Sequence, residues 1–216
     1  MDQKLLLLIN HDWTNPALDR FMAVMSSLDF WIPFFAVAIL AVAIRAGFRG
    51  RAFLLVAGLC LAINDGVVAN SLKHAVHRLR PHEALSGIRH IDLAHVNPRI
   101  LALGKPLKIA ISTSVPDTGQ GRSFPSGHVI DTVTIATVVL LFYPRFGWIS
   151  FLVPMIVGYS RVYVGSHWPS DVIASLLLGT ATTILFVRLL NLVWRRYGDR
   201  ILHRIHAAHP SLLAST

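Results

Sequence analysis

The chain has 216 residues, of which 54% are apolar and only 14% are charged, against about 25% charged in an average soluble domain. A chain of this length cannot hide so much apolar surface in one soluble core, and it is too apolar to be disordered. The composition therefore excludes an ordinary soluble globule and predicts an integral membrane protein.

The formal net charge of +9 favours an anionic partner, which would be nucleic acid, anionic lipid or a phosphate-bearing substrate. The tail after the last apolar run carries Arg195, Arg196, Arg200 and Arg204, and we interpret them as a topology signal in contact with lipid headgroups, not as a nucleic-acid site. The single cysteine, Cys60, excludes an intramolecular disulfide. The sequence carries no signal for an oligomeric state.

The opening segment, residues 1–29, differs from the rest of the chain. Its longest apolar stretch covers only five residues, which is too short for a cleaved signal peptide. Leu18, Phe21, Met22 and Met25 recur at helical spacing. This pattern predicts an amphipathic helix that lies on the membrane surface.

Five apolar runs follow, at residues 30–44, 52–72, 129–142, 148–159 and 172–187. Some are shorter than the roughly 20 residues that cross a bilayer, but flanking Ser, Thr, Gly and aromatic residues extend them. None alternates as a strand does. The runs predict an all-α, polytopic membrane helix bundle of about five transmembrane helices, with residues 1–216 forming one domain.

Charged links set the predicted orientation. Residues 45–51, residues 143–147 and the tail after the fifth run are basic and would share one side, which the positive-inside rule assigns to the cytoplasm. The long link 73–128 and the short link 161–168 then share the outer face.

The first constellation of polar residues lies at the end of the second run. Lys73 and Arg80 are seven residues apart, close to two helical turns, so one helix face would aim two cations at one anion. A basic cluster that snorkels at a helix end explains the same residues.

The second constellation opens the third run. Ser126 and Gly127 would expose backbone N–H groups at a helix N-terminus, where an anion is favoured, and His128 in the first turn can donate a proton. An ordinary helix start with an interfacial histidine is the alternative.

The third constellation precedes the fifth run. His167 and Asp171 are four residues apart, so a carboxylate there would hold one ring nitrogen and leave the other as a nucleophile. Asp171 as a simple helix N-terminal acid explains one residue but not Arg161 and His167. The loop assignment places all three constellations on the outer face, which favours a shared site.

These residues, in the order Lys-x6-Arg-Pro, Pro-Ser-Gly-His and Ser-Arg-x5-His-x3-Asp, resemble the three signature motifs of the type 2 phosphatidic acid phosphatase superfamily. The motifs span residues 73–171 without a substitution. They are specific for the superfamily and much less specific for a substrate, because its members include lipid, polyprenyl diphosphate and sugar phosphatases, soluble acid phosphatases and vanadium haloperoxidases.

The resemblance implies a phosphatase without metal or other cofactor that forms a phosphohistidine. His167 would attack phosphorus, Asp171 would orient and polarise His167, and His128 would protonate the leaving oxygen. The phosphoryl oxygens would be held by a further set of groups: Lys73, Arg80, Arg161, Ser126 and the Gly127 N–H.

The resemblance also implies a lipid phosphate substrate and a bacterial inner membrane location, with the site facing the periplasm or exterior. Undecaprenyl diphosphate is the preferred substrate, followed by phosphatidylglycerol phosphate, phosphatidic acid and lipid A phosphate. Three alternatives stay open: a lipid phosphotransferase, a non-catalytic lipid-phosphate-binding protein, and a vanadate-dependent peroxidase, which the membrane spans disfavour.

The insertion at residues 82–120 departs from a compact family member, and we interpret it either as an interfacial cap that contacts a headgroup or as a solvated insertion. Four histidines in and before it, His77, His82, His90 and His95, fit no standard zinc spacing. Asn64 and Asp65, inside the second run, are expected to form a structural polar contact in the bundle, and Asp131 is expected to support the site.

Overall fold

The computed structural model describes residues 1–113 and 121–213, which form a helical bundle with one small hairpin. Residues 114–120, the last part of the predicted insertion, lie outside the described residues. The helices are α1 (Asp2–Leu7), α2 (Pro16–Ser26), α3 (Leu28–Arg45), α4 (Phe48–Ile63), α5 (Asn70–Val76), α6 (Pro81–Ala84), α7 (Gly127–Phe142), α8 (Pro144–Gly147), α9 (Leu152–Tyr163) and α10 (Pro169–Ala208), and the strands are β1 (Arg89–Asp92) and β2 (Lys108–Ile111). π-helical turns cover Leu8–Asp12 and Asn64–Ala69, and 3-10 turns cover Arg99–Gly104 and Trp148–Phe151.

Helix α7 lies at the centre of the bundle and packs against α4, α9 and α10. Its apolar residues are buried on several faces, among them Val129, Ile130 and Val133. Gly179 of α10 permits the closest approach, because a Cβ atom there would lie 2.5 Å from Cγ1 of Val133. A helix buried all round must be apolar all round, which explains why the third run lacks a polar face.

A polar contact fixes the centre of this bundle. The side chain of Asn64 is buried, and its Nδ2 donates to Oγ1 of Thr134 at 2.8 Å and to Oγ1 of Thr183 at 2.9 Å. The π-helical turn that begins at Asn64 continues α4 into α5. The expected structural contact is therefore confirmed for Asn64, which ties three helices together.

Helices form at all five predicted runs, and the helical membrane fold is confirmed. Three stretches are long and apolar enough to cross a membrane: Leu28–Arg45, Phe48–Ala84 and Pro169–Ala208. Helix α7 is apolar but has 16 residues, and α9 has 12. The number of five spans thus stays a prediction.

The N-terminal segment is helical but differs from the predicted single surface helix. It forms two helices, α1 and α2, joined by a π-helical turn, and α2 packs on α9. Asp19 is buried, where its carboxylate receives hydrogen bonds from Arg89 Nη2 at 2.7 Å and from the Tyr163 hydroxyl at 2.6 Å. On an amphipathic surface helix an acid such as Asp19 would face water, but here its ion pair with Arg89 compensates the burial of its charge.

The insertion contains the only strands among the described residues, which the prediction of an all-α chain did not include. Strands β1 and β2 pair antiparallel, with Arg89 opposite Ile111 and Asp92 opposite Lys108. Both strands have four residues, too few to show a clear alternation in the sequence. Ile91 buries its side chain in the cluster formed by α1, α2 and α9.

The two ends of the bundle carry different groups. At one end, the Arg49 guanidinium donates to the Phe142 carbonyl and lies 5.3 Å from the Tyr143 ring centre, and Phe48 packs on Trp194. The predicted cytoplasmic links therefore do come together. The three motif segments meet at the opposite end.

Candidate active site

A polar cavity lies where the ends of α5, α7 and α9 meet the N-terminal segment and β1. Its volume is about 320 Å³. The motif residues that line it are Arg80, His128 and Arg161, and we call this space the polar cavity. Residues of the N-terminal segment and the insertion complete its wall: Ser26, Ser27, Leu28, Asp29, His90, Ile91, Asp92, Arg99, Val164 and Ser166.

Lys73 approaches the N-terminus of α7. A Cβ atom built on Gly127 would lie 3.4 Å from both the Lys73 Nζ and the Asp65 Oδ1 atoms. The two side chains form an ion pair at 3.8 Å. Asp65 therefore faces a predicted site residue, whereas its neighbour Asn64 faces the bundle core.

Arg161 is buried and is held by the N-terminal segment. Its Nη1 atom donates to the carbonyl oxygen of Ser26 at 3.1 Å and also to the Ser26 hydroxyl. Ser26 and His128 both line the polar cavity. Sequence reasoning did not connect Ser26 with the site, because local periodicity gives no information about a partner 135 residues away.

Two buried donors in the predicted set have no hydrogen-bond partner within residues 1–113 and 121–213. They are the Nε atom of Arg161 and the Oγ atom of Ser126. Buried polar atoms in native proteins are nearly always satisfied, so unpartnered donors in a cationic site indicate an anionic ligand.

The ring of His167 is almost completely buried, in the loop between α9 and α10. Its Nδ1 atom lies 2.6 Å from the carbonyl oxygen of Ser123. Burial first, and then the positive charges of Arg161 and Arg80, lower the pKa of His167 well below its ordinary value. A neutral ring that donates from Nδ1 carries its lone pair on Nε2, as a nucleophilic imidazole requires.

The loop that carries His167 is shaped by a glycine. Gly165 adopts φ +72°, in the left-handed region, and a Cβ atom there would lie 2.5 Å from the carbonyl oxygen of Arg89. This close approach seats the loop against β1. The hairpin in the insertion thus has a direct part in positioning His167.

The predicted contact between Asp171 and His167 is wrong. The Asp171 carboxylate accepts hydrogen bonds from Ser123 Oγ at 2.5 Å, from Arg78 Nη1 at 2.5 Å and from the Trp168 N–H at 3.2 Å, and none from His167 among the described residues. The expected four-residue spacing assumed one helix, but α10 begins only at Pro169. His167 therefore precedes the helix, whereas Asp171 caps its first turn.

Arg78 and Ser123 are functional candidates that the sequence reasoning missed. Besides Asp171, Arg78 contacts the Ser170 hydroxyl at 2.9 Å and Asp2 Oδ2 at 2.7 Å. Burial alone would raise the pKa of Asp2, but hydrogen bonds from Ser170 and Arg78 outweigh it and leave the pKa lowered. The signal for Arg78 was its position between Lys73 and Arg80, where both neighbours had been selected.

The histidines of the insertion form a pair at the edge of the polar cavity. The ring centres of His82 and His90 lie 4.4 Å apart with the ring planes tilted by 33°, and their Nδ1 atoms contact the carbonyl oxygens of Gly165 and Val164. Burial and the neighbouring His82 lower the pKa of His90. Within the described residues, no three His, Cys, Asp or Glu side chains are grouped as a metal site would need.

Comparisons with known proteins identify the family of this chain. The sequence profile of the PAP2 superfamily matches residues 53–195. The chain is 36% identical over 107 residues to the undecaprenyl-diphosphatase of Sulfolobus acidocaldarius, covering 49% of this chain and about half, 52%, of that protein. It is 26% identical over 194 residues to undecaprenyl-diphosphatase BcrC of Bacillus subtilis, covering 90% of this chain and 85% of that protein.

The fold is similar to the crystal structure of Aquifex aeolicus LpxE, with a TM-score of 0.59 and 26% identity. That similarity covers 87% of this chain and 94% of the other. Because the profile covers most of the chain, this protein belongs to the PAP2 superfamily, and its apolar helices make it a membrane protein.

Proposed function

We propose that this protein hydrolyses a lipid phosphate through a phosphohistidine on His167. The observation that carries the proposal is the buried, neutral His167 ring, fixed through Nδ1 by the Ser123 carbonyl and surrounded by the charges of Arg161 and Arg80. A neutral nucleophile beside fixed cations suits attack on an anionic phosphoryl group.

The first step transfers the phosphoryl group to the enzyme. The lone pair of His167 Nε2 forms a bond to phosphorus while the bond from phosphorus to the leaving oxygen breaks. His128 donates a proton to that oxygen, so that the lipid leaves as an alcohol, or as a monophosphate when the substrate is a diphosphate. The proton on Nδ1 of His167 stays on the ring, which donates it in a hydrogen bond to the Ser123 carbonyl oxygen.

The second step returns the enzyme to its starting state. Water attacks phosphorus, His128 takes a proton from it, and the bond between phosphorus and Nε2 breaks to release inorganic phosphate. The same group thus acts as acid in the first step and as base in the second.

Fixed positive charge replaces a metal in this proposal. Lys73, Arg80 and Arg161 would neutralise the phosphoryl oxygens, with further hydrogen bonds from the Ser126 hydroxyl and the Gly127 N–H. The unpartnered Arg161 Nε and Ser126 Oγ atoms support this assignment. The guanidinium of Arg161 is held in place by Ser26 before any substrate binds, which is preorganisation.

Asp171 acts through Ser123 in this scheme, as a positioning residue. Its carboxylate anchors the Ser123 hydroxyl, and the Ser123 carbonyl orients His167. The negative charge also favours the imidazolium that develops as His167 attacks, although at a greater distance than direct contact would give.

Undecaprenyl diphosphate is the proposed substrate, because the Sulfolobus and Bacillus relatives are named undecaprenyl-diphosphatases. The proposed location is the inner membrane, with the polar cavity on the outer face, since the basic links gather at the opposite end of the bundle.

Phosphate release by detergent-purified protein tests the proposal. The lipid panel contains undecaprenyl diphosphate, phosphatidylglycerol phosphate, phosphatidic acid and lipid A, with EDTA present and His167→Ala as the blank. We expect release from undecaprenyl diphosphate above the others. Release that persists in the blank contradicts the role of His167, and loss with EDTA that one divalent ion restores contradicts metal independence.

A further inference from the structure

Two apolar grooves reach the site from the surface of the bundle, on either side of the start of α3. The first, which we call the α9 groove, has a volume of about 220 Å³, and its lining includes Met25, Trp31, Val153, Ile156 and Val157. The second, the α4 groove, has about 460 Å³ and is lined by Ile32, Ala36, Ile39, Leu61 and Ile135. Leu28 and Phe35 of α3 line both.

The α9 groove adjoins the polar cavity. His128 and Leu28 line both spaces, so the imidazole that would protonate the leaving oxygen lies where the two spaces meet. That oxygen is the atom that joins the phosphoryl group to the rest of the substrate. A substrate seated with this oxygen at His128 has its lipid portion directed to one of the two grooves.

The two grooves differ in the charged residues that line them. Asp65 and Asp131 are among the residues that line the α4 groove. An anionic phosphate that entered along it would approach the Asp65 carboxylate and meet a repulsion that Lys73, 3.8 Å from Asp65, offsets only in part. The α9 groove has His128 and Thr132 as its polar lining and no carboxylate among the described residues.

The packing of α3 leaves both grooves accessible from the side. Only 6% of the residues of the α3 span are buried within the protein, compared with 33% in the apolar 18-residue window of Phe48–Ala84. Ile156 and Val153 on the opposite wall are also exposed, at 39% and 52%. In a membrane protein these surfaces face lipid, so a chain moves between bilayer and groove without crossing water.

We propose that the α9 groove binds the part of the lipid chain nearest the phosphate and thereby places the leaving oxygen at His128. This inference rests on the proposed phosphatase function and adds the route and the chain subsite. The occupant is a hydrocarbon or polyprenyl chain that ends in a phosphate or diphosphate. Binding of the chain at a distance from the reacting atoms supplies orientation at the phosphoryl group.

Filling the groove tests the proposal. Ile156→Trp places a large ring in the α9 groove from an exposed position, and Ile39→Trp does the same in the α4 groove as the matched control. Two substrates are compared, undecaprenyl diphosphate and the water-soluble p-nitrophenyl phosphate, which has no lipid chain.

We expect Ile156→Trp to lower kcat/KM for undecaprenyl diphosphate about tenfold, the effect of excluding roughly two methylene groups from an apolar site. The kcat/KM of Ile156→Trp for p-nitrophenyl phosphate should stay near the wild-type value. The kcat/KM of Ile39→Trp should stay near wild type for both substrates. Equal losses in the two variants, or a loss confined to Ile39→Trp, would overturn the proposal. Loss of both substrates in Ile156→Trp would instead indicate a damaged site and also count against it.

A binding measurement separates this proposal from the catalytic one. In inactive His167→Ala, a photoreactive polyprenyl diphosphate with the reactive group near the diphosphate should label residues 153–157. Labelling of Leu61 or Ile135 instead would assign the chain to the α4 groove and overturn the inference, whatever the turnover of the wild type. Labelling of residues 153–157 in His167→Ala, combined with a wild type that releases no phosphate from any lipid of the panel, would retain the groove and reject the phosphatase.

Discussion

Ser123 joins Asp171 to the site: its hydroxyl donates to Oδ2 of Asp171 at 2.5 Å, while its carbonyl oxygen lies 2.6 Å from Nδ1 of His167. One residue therefore transmits the position of a buried carboxylate to a buried imidazole. Because Ser123 Oγ and its carbonyl belong to the same residue, a shift of the hydroxyl changes the orientation of the ring.

Ser123→Ala tests this link, because it removes the hydroxyl and keeps the carbonyl. A hydrogen bond to a charged group contributes about 1.5–3 kcal/mol, so we expect kcat to fall roughly 10- to 100-fold, with little change in KM. The measurement is steady-state phosphate release. Ser150→Ala, which removes a hydroxyl at the other end of the bundle, is the control, and wild-type kcat in Ser123→Ala would contradict the link.

Arg78 should stabilise the fold mainly through Asp171. The Asp171 side chain is 0% exposed whereas that of Asp2 is 28% exposed, and both contact the same guanidinium. Arg78→Ala leaves a buried carboxylate without its cation, which should lower the free energy of unfolding by about 1–3 kcal/mol, allowing for the partial exposure of Arg78.

The thermal midpoint in detergent measures this effect. Asp2→Asn is the matched variant: it weakens the partly exposed contacts of Asp2 with Arg78 and Ser170 but keeps the buried pair of Arg78 and Asp171, so it should change the midpoint much less. If both variants lower the midpoint equally, the buried pair is not the dominant interaction of Arg78.

Adjacent residues Asn64 and Asp65 should have opposite phenotypes. Asn64→Ala removes two buried hydrogen bonds to Thr134 and Thr183, so it should cost about 1–3 kcal/mol of stability while folded protein keeps its KM. Asp65→Asn removes the ion-pair partner that holds Lys73 in position, so it should raise KM several-fold with a small change in stability. Thermal unfolding and steady-state kinetics on both variants check this, and a shared phenotype would contradict the division.

The stability of the protein should fall as the pH falls below about 6.5, partly because of His167. Its pKa is lowered in the folded state, so near that pH the unfolded chain binds a proton that the folded chain does not, and stability is lost as the pH decreases. The limiting slope is about 1.4 kcal/mol per pH unit for one proton.

His167→Gln keeps an N–H donor for the Ser123 carbonyl and removes the titration. Between about pH 7.5 and 5.5, its thermal midpoint should therefore drop less than that of the wild type. An equal drop in the two proteins would show that His167 has an ordinary pKa.

The convergence of the motifs was predictable because each marks the end of an apolar run. Lys73, His128 and Arg161 follow or precede runs whose number and charged links place them on one side, and this reasoning needs no tertiary contact. Arg80, Ser126 and Gly127 lie in the same segments as these residues, so the same reasoning places them on that side.

The contributions of the N-terminal segment and the insertion were not predictable in the same way. Ser26 reaches Arg161 from 135 residues away, and Asp2 reaches Ser170 from 168 residues away. Local periodicity carries no information about such pairs. An amphipathic helix pattern alone would place the Asp19 side chain toward solvent, because the pattern does not show that Arg89 is its partner.

The predicted contact between Asp171 and His167 was wrong for a local reason. A spacing of four residues brings side chains together only inside one helix, and Pro169 starts a new helix between them. The sequence did contain this signal, because proline favours the first position of a helix.

Trapping of the phosphoryl enzyme is the most direct test of the phosphohistidine on His167. His128→Ala should accumulate it with undecaprenyl diphosphate, because a lipid monophosphate leaves without strong acid assistance whereas water still needs a base. Rapid quenching at high pH followed by mass spectrometry, with EDTA present, should find phosphate on the peptide that contains His167 and none in His167→Ala. Turnover of the lipid with no phosphate on His167, or undiminished turnover in His167→Ala, would contradict the proposed mechanism.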